Sequence, residues 1–182
     1  MRFNPVLSYQ EMRRISHTSD EDVQKFKSIL PYMPAYLTGN IHFLDGINYE
    51  QDFATPLLLY FQEHEKSEIN KILTQYIQLI LKLWQYGCSD SIFNFATNSG
   101  IDSQGRVIQI DVGELDFLKC TVAERVKNKQ WLSRASYIHS SDDIKSFFAG
   151  EMDTYVTLEN LDKYWRSKLS DNEQHGLRNN KQ

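Results

Sequence analysis

Between Ser67 and Tyr86 apolar residues return at Ile69, Ile72, Leu73, Tyr76, Ile77, Ile80, Leu83 and Trp84, the three-and-four spacing of one helix face. Leu79 and Leu81 widen the stripe, so the segment predicts a helix buried on more than one side, stopped by Gly87 and serving as the spine of the protein. Upstream, Ser19-Asp20-Glu21-Asp22 reads as a helix start, because a hydroxyl accepts from orphan amides and the carboxylates oppose the positive end of the helix dipole. Val23, Phe26 and Ile29 share one face of that helix, and Pro31 ends it. Ser8 to Ile15 is expected to form a shorter helix.

Elsewhere the period drops from 3.6 to 2. Ile41 to Phe53, IHFLDGINYEQDF, alternates around Asp45-Gly46 and predicts a β-hairpin. A second hairpin turns at Asp102-Ser103-Gln104-Gly105. Its alternation sets Val107, Gln109 and Asp111 on one face and Ile108 and Ile110 on the other. Asp111 thereby emerges at a strand end, where a carboxylate can reach a metal. Between the hairpins, Thr55-Pro56 predicts a helix start capped by the threonine. Thr121 and Ser141 are expected to cap two further helices, and Thr157 a third that carries Leu158, Leu161, Tyr164 and Trp165. From Ser170 onward the residues are almost all polar, which predicts a disordered tail over 170–182. The pattern describes an α+β fold, mainly helical, with one domain over 1–169.

Composition narrows the function classes. The chain of 182 residues suffices for one ordinary domain, and 24 acidic against 20 basic residues leave a net charge of -4. That balance argues against broad affinity for nucleic acid or membrane surfaces. A local strip from Arg125 to Arg134 interleaves positive charge with Trp131. It reads either as a contact surface for phosphate or an acidic partner, anchored by Trp131, or as a solvated face with Trp131 in the core. Cys88 and Cys120 are too few for a disulfide framework, and the apolar run from Ile77 to Trp84 is broken by Gln78 and Lys82. A soluble, cytoplasmic protein is the expectation. His17, His42, His64, His139 and His175 are scattered without zinc-ligand spacing.

The chemistry-bearing stretch runs from Gly87 to Leu115, GCSDSIFNFATNSGIDSQGRVIQIDVGEL. Asn94 followed by Phe95 precedes the hairpin, and Asp111-Val112-Gly113, with Glu114-Leu115, follows it. Taken with the paired strands ending in INYEQDF, a short helix and the long buried helix, this order resembles the hinge and C-terminal lobe of the protein-kinase-like family over residues 41–115. The resemblance implies a helical C-lobe over 55–169 behind a reduced N-terminal part over 1–54. It also implies ATP and Mg²⁺ as cofactors, Asp111 and Asn94 as metal ligands, and the backbone of Tyr49, Glu50 and Gln51 against adenine. Such sites work by positioning and charge neutralisation rather than by covalent chemistry. Read without the family, Asn94 and Asp111 are equally turn formers that bond their own backbone.

Two departures shape the functional expectation. Ser89 stands where the family places its catalytic aspartate, so the carboxylate is displaced to Asp90, which acts either as a shifted base or as a turn residue. Upstream there is no G-x-G-x-x-G, since Gly39 and Gly46 stand alone, and no strand lysine. Lys25, Lys27 and Glu21 read as a solvated helix face. The expectation is therefore a non-catalytic kinase-like (pseudokinase) interaction or regulatory domain. The alternative is an ATP- and Mg²⁺-dependent phosphotransferase with an atypical catalytic loop. A half-built cleft exposes apolar surface. Self-association or a protein partner is expected at Phe43, Leu44, Ile47 and Phe53, unless residues 1–38 fold back over that hairpin.

Overall fold

The computed structural model describes residues 20–44, 48–138 and 142–166, and they form a mainly helical α+β fold with three small antiparallel sheets. Helix α1 (Asp20–Ile29) passes through a 3-10 turn at Leu30–Tyr32 to a second at Ala35–Thr38. Strands β1 (His42–Phe43) and β2 (Tyr49–Glu50) pair antiparallel with Phe43 opposite Tyr49, within the segment expected to form a hairpin. Strand β3 (Thr55–Pro56) leads into α2 (Leu57–Glu63) and α3 (Lys66–Trp84). Then come β4 (Ser89–Asp90), the one-turn α4 (Phe95–Asn98), β5 (Ser99–Ile101), β6 (Val107–Gln109), a 3-10 turn at Val112–Glu114 and β7 (Leu115–Asp116). Helix α5 (Lys119–Lys127), a 3-10 segment at Gln130–Tyr137, α6 (Asp142–Tyr155) and α7 (Leu158–Tyr164) complete the order.

Helix α3 is the spine that its stripe predicts. Ile69, Ile72, Leu73, Tyr76, Ile77, Leu79, Ile80, Leu83 and Trp84 are all buried, and α6, α7, β4 and β6 pack around it. Gly87 follows at φ +72°, a left-handed conformation that glycine adopts without a Cβ penalty. Phe95 joins the neighbouring elements, its ring centroid 5.8 Å from Tyr76 of α3, 5.9 Å from Phe61 of α2 and 5.0 Å from Phe148 of α6. Among the described residues no helix is long and apolar enough to cross a membrane.

Several local expectations give way to tertiary packing. Thr55-Pro56 does not start a helix; it pairs with β5, Pro56 opposite Gly100, and α2 begins one residue later with no side-chain cap. A proline is tolerated on an edge strand, and a Cβ on Gly100 would meet the Thr55 carbonyl oxygen at 2.9 Å, so the glycine permits this close approach. Thr121 lies inside α5 rather than capping it. The chain turns instead on Asp116, whose Oδ1 accepts from the Leu118 amide at 2.8 Å and whose Oδ2 pairs with Arg125 at 2.7 Å. Val107, Ile108 and Gln109 are all buried, because α3 and the Ala35–Thr38 turn both pack on β6 and leave no solvated face. Thr157 does cap α7, accepting from the Asn160 amide at 3.1 Å. The expected roles of Ser8 to Ile15, Ser19, Asp45-Gly46, Ile47, Ser141 and 170–182 lie outside the described residues.

Candidate functional site

The site is assembled where α3 ends. Trp84 donates its indole N–H to Ser89 Oγ at 3.1 Å, which seats β4 beneath the helix. β4 then pairs with β7, Ser89 opposite Asp116 and Asp90 opposite Leu115, so the loop after β4 lies beside the turn that follows the hairpin. Ser91 closes this junction. Its amide donates to the Glu114 carbonyl at 2.7 Å and its hydroxyl to Glu114 Oε2 at 3.0 Å.

Asp90 is 1% exposed. Its Oδ1 accepts from the Ile92 amide at 2.9 Å, while Oδ2 has no hydrogen-bond partner. Burial raises its pKa to about 6, with help from the charge of Glu114, against the opposing pull of the Ile92 and Asn94 amides and the Asn98 side chain. Asn98 Nδ2 nonetheless makes no bond of ordinary hydrogen-bond geometry. The loop reverses at Phe93, whose φ of +52° is unusual for a side-chain-bearing residue. Packing holds it there: Phe93 is fully buried, edge-on to Trp131 at 5.7 Å. Trp131 thus belongs to the core at 1% exposure, and the reading of the basic strip that makes it a surface anchor is set aside.

The predicted polar anchors occupy different places in this seat. Asn94 precedes α4 and donates from Nδ2 to Thr97 Oγ1 at 2.7 Å; Thr97 in turn donates to Asn98 Oδ1 at 3.1 Å. The Asn98 carbonyl accepts from the amides of Ile110 and Asp111 at 2.9 and 3.3 Å. Asn98, not singled out from the sequence, therefore joins the loop to the approach of Asp111 and helps hold the Asp90 charge. Its signal was its place directly before β5, with the extra turn of α4 separating it from Asn94. Asp111 bonds its own turn through Gly113 N at 3.1 Å. Its pKa is raised by burial and by Glu114, against the amides of Gly113 and Glu114. Gln109, also unforeseen, is wholly buried, donating to the Asp111 carbonyl at 2.8 Å with Oε1 unpartnered.

Gln51 reaches this seat from the other side. Its amide nitrogen donates to the Thr38 carbonyl at 2.9 Å and to the Gln109 carbonyl at 2.8 Å, so its side chain is committed to packing, whereas Tyr49 and Glu50 are exposed. Among the described residues no three His, Cys, Asp or Glu side chains gather as a metal cage. Of the oxygens expected to hold Mg²⁺, Asn94 Oδ1 is buried without a hydrogen-bond partner, and one Asp111 oxygen is taken by the Gly113 amide. Cys88 is fully buried, which pushes its thiol pKa up and makes it inert. Comparison of the chain with models of known protein families, and with curated proteins, finds no match in either.

Proposed function

We propose that this chain is a non-catalytic kinase-like module, a pseudokinase-type interaction or regulatory domain. The observation that carries the reading is the enclosure of Asp90. A general base must come within hydrogen-bond reach of the proton it takes. At 1% exposure, with Phe93 wedged against Trp131, Asp90 meets a substrate hydroxyl only if the loop over 91–98 lifts. The kinase-like order is supported by two pairings, β4 with β7 and β5 with β6, which set the loop beside Asp111-Val112-Gly113. No clamp lysine offers itself on α1: Lys25 is held by Glu21 at 2.9 Å, and Lys27 lies 4.4 Å over the Phe43 ring. Phe53, 85% exposed, and Leu44, 58% exposed, supply the surface for a protein partner or a second copy. The two cysteines are unpaired, as suits a reducing, cytoplasmic setting.

One observation favours a phosphotransferase instead: a carboxylate with a pKa of about 6 and a free oxygen has the basicity of a general base. In that reading Asp90 is the base, ATP lies along Tyr49 to Gln51, and Asp111 holds Mg²⁺ with Asn94 or Asn98. Thermal unfolding with ATP, with and without Mg²⁺, separates the two. The module reading expects no Mg²⁺-dependent shift. A stabilisation of roughly 2.7 kcal/mol at a hundredfold excess over Kd, lost in Asp111→Asn with the far-UV spectrum unchanged, would replace it with the enzyme.

A further inference from the structure

Away from the Asp90 seat, two cations from separate elements converge on one aromatic ring. Tyr36 lies in the Ala35–Thr38 turn. The Arg106 guanidinium, from the start of the second hairpin strand, is 4.9 Å from its ring centroid, and Lys82 Nζ of α3 is 5.6 Å from it. Lys82 also donates to the phenolic oxygen at 3.4 Å. All three side chains line a cavity of about 240 Å³, together with Gln75 and Gln78 of α3 and an apolar floor that includes Leu79.

The charges do not cancel. Asp102 takes the Nε and Nη2 edge of Arg106 through one oxygen, at 2.8 and 2.7 Å, and its other oxygen is filled by the amides of Gln104 and Arg106. It offsets one of the two positive charges. Among the described residues Lys82 has no carboxylate at ion-pair distance, and no acidic side chain lines the cavity. Gln75 accepts the Val107 amide through Oε1 at 3.3 Å, which leaves its NH₂ group as a donor. The lining thus offers cationic and amide donors in excess of acceptors, in a protein whose net charge is -4. Stacking on Tyr36 accounts for either cation alone. It does not account for a donor-rich space beneath both.

We infer that this cavity binds a small molecule bearing an oxyanion, phosphate or carboxylate, held by Arg106 and Lys82 against Tyr36. Guanidinium and ammonium groups are the ordinary partners of such oxyanions. The cavity is smaller than the roughly 300–1,000 Å³ of sites for drug-sized ligands, so the ligand is a compact one. The test is an NMR titration of the full chain with inorganic phosphate and, separately, with acetate, against sodium chloride at matched ionic strength. The side-chain amides of Gln75 and Gln78 and the Arg106 Nε–H are followed. Saturable shifts with phosphate or acetate, absent with chloride, weakened about tenfold or more in Lys82→Gln and kept in Lys82→Arg, are expected; the stronger anion identifies the source. Lys82 is exposed, so its replacement leaves the fold intact. Shifts that chloride reproduces, or that Lys82→Gln leaves unchanged, overturn the site.

Discussion

Helix α3 and the segment from Ser89 to Glu114 are neighbours in the same interior, yet they are buried on opposite terms. The helix buries apolar side chains, each contributing roughly 25 cal/mol per Å² removed from water. The segment buries polarity: Ser89, Asp90, Asn98, Ser99 and Gln109 are five of the six buried polar or charged residues among those described, the sixth being Thr38. Five buried polar atoms there, Asp90 Oδ2, Asn94 Oδ1, Asn98 Nδ2, Ser99 Oγ and Gln109 Oε1, lack a hydrogen-bond partner. A group left wholly unpaired costs about 1–3 kcal/mol, and the cost is less for Asp90 and Asn98, whose side chains still attract one another. The helical body therefore supplies the stability that holds the polar seat in place. Helix α3 carries two such atoms of its own, Asn70 Oδ1 and Tyr76 Oη, so the larger share of this cost, not all of it, falls on the segment from Ser89 to Glu114.

The widest gap between the two regions is expected on truncating the helix. Ile77→Ala should cost about 2–5 kcal/mol in urea unfolding, as for other buried aliphatic side chains, because Ile77 is 2% exposed at the centre of α3. A loss below about half a kcal/mol would break the contrast by making α3 peripheral.

In the polar seat the sign reverses. The Asp90 pKa is raised from 3.8 to about 6, so between these values the folded state binds more protons than the unfolded. Its contribution to stability is full below about pH 4 and is lost as pH rises through about 6. A tenfold change in proton affinity is worth about 1.4 kcal/mol, so Asp90→Asn should stabilise the protein at pH 7 by up to about 3 kcal/mol and flatten this slope. Asp111, raised in the same direction, leaves a residual slope of the same sign. A destabilised Asp90→Asn with an unchanged pH profile would show that the carboxylate is held by favourable contacts.

The asparagines sharpen the comparison further. Asn98 acts on Asp90 through its side chain and Asn94 through its backbone amide. Asn98→Ala should therefore raise the Asp90 pKa, read from the carboxyl carbon in an NMR titration, while Asn94→Ala leaves it in place. Equal changes in both variants would contradict the division of roles.

The smallest effect on stability is expected at the surface. Phe53→Ser should stay within about 0.5 kcal/mol of the parent, since Phe53 is 85% exposed, while abolishing any concentration-dependent association in sedimentation. Phe43→Asp should instead unfold the hairpin region, because Phe43 packs against Phe26 at 6.1 Å and Tyr49 at 5.8 Å. A parent that is monomeric at all concentrations would remove self-association and leave a different protein as the partner.

Features written in local pattern were legible in the chain itself. The α3 stripe, the β1 and β2 pairing, the Thr157 cap and the Asp102 to Gly105 turn each depend on residues a few positions apart, so periodicity and turn chemistry suffice to find them. In that turn the Gly105 amide donates to the Asp102 carbonyl at 3.0 Å. Asp90 and Asp111 were visible as carboxylates with the right neighbours in sequence. Their environment was not. That Asn98 stands beside Asp90, that Pro56 lies on Gly100, that β6 is covered on both faces and that Trp131 closes over Phe93 all depend on contacts the local pattern does not encode. Burial then sets the charge of Asp90, because a pKa responds to the water and dipoles around a carboxylate, and only the packed chain determines those.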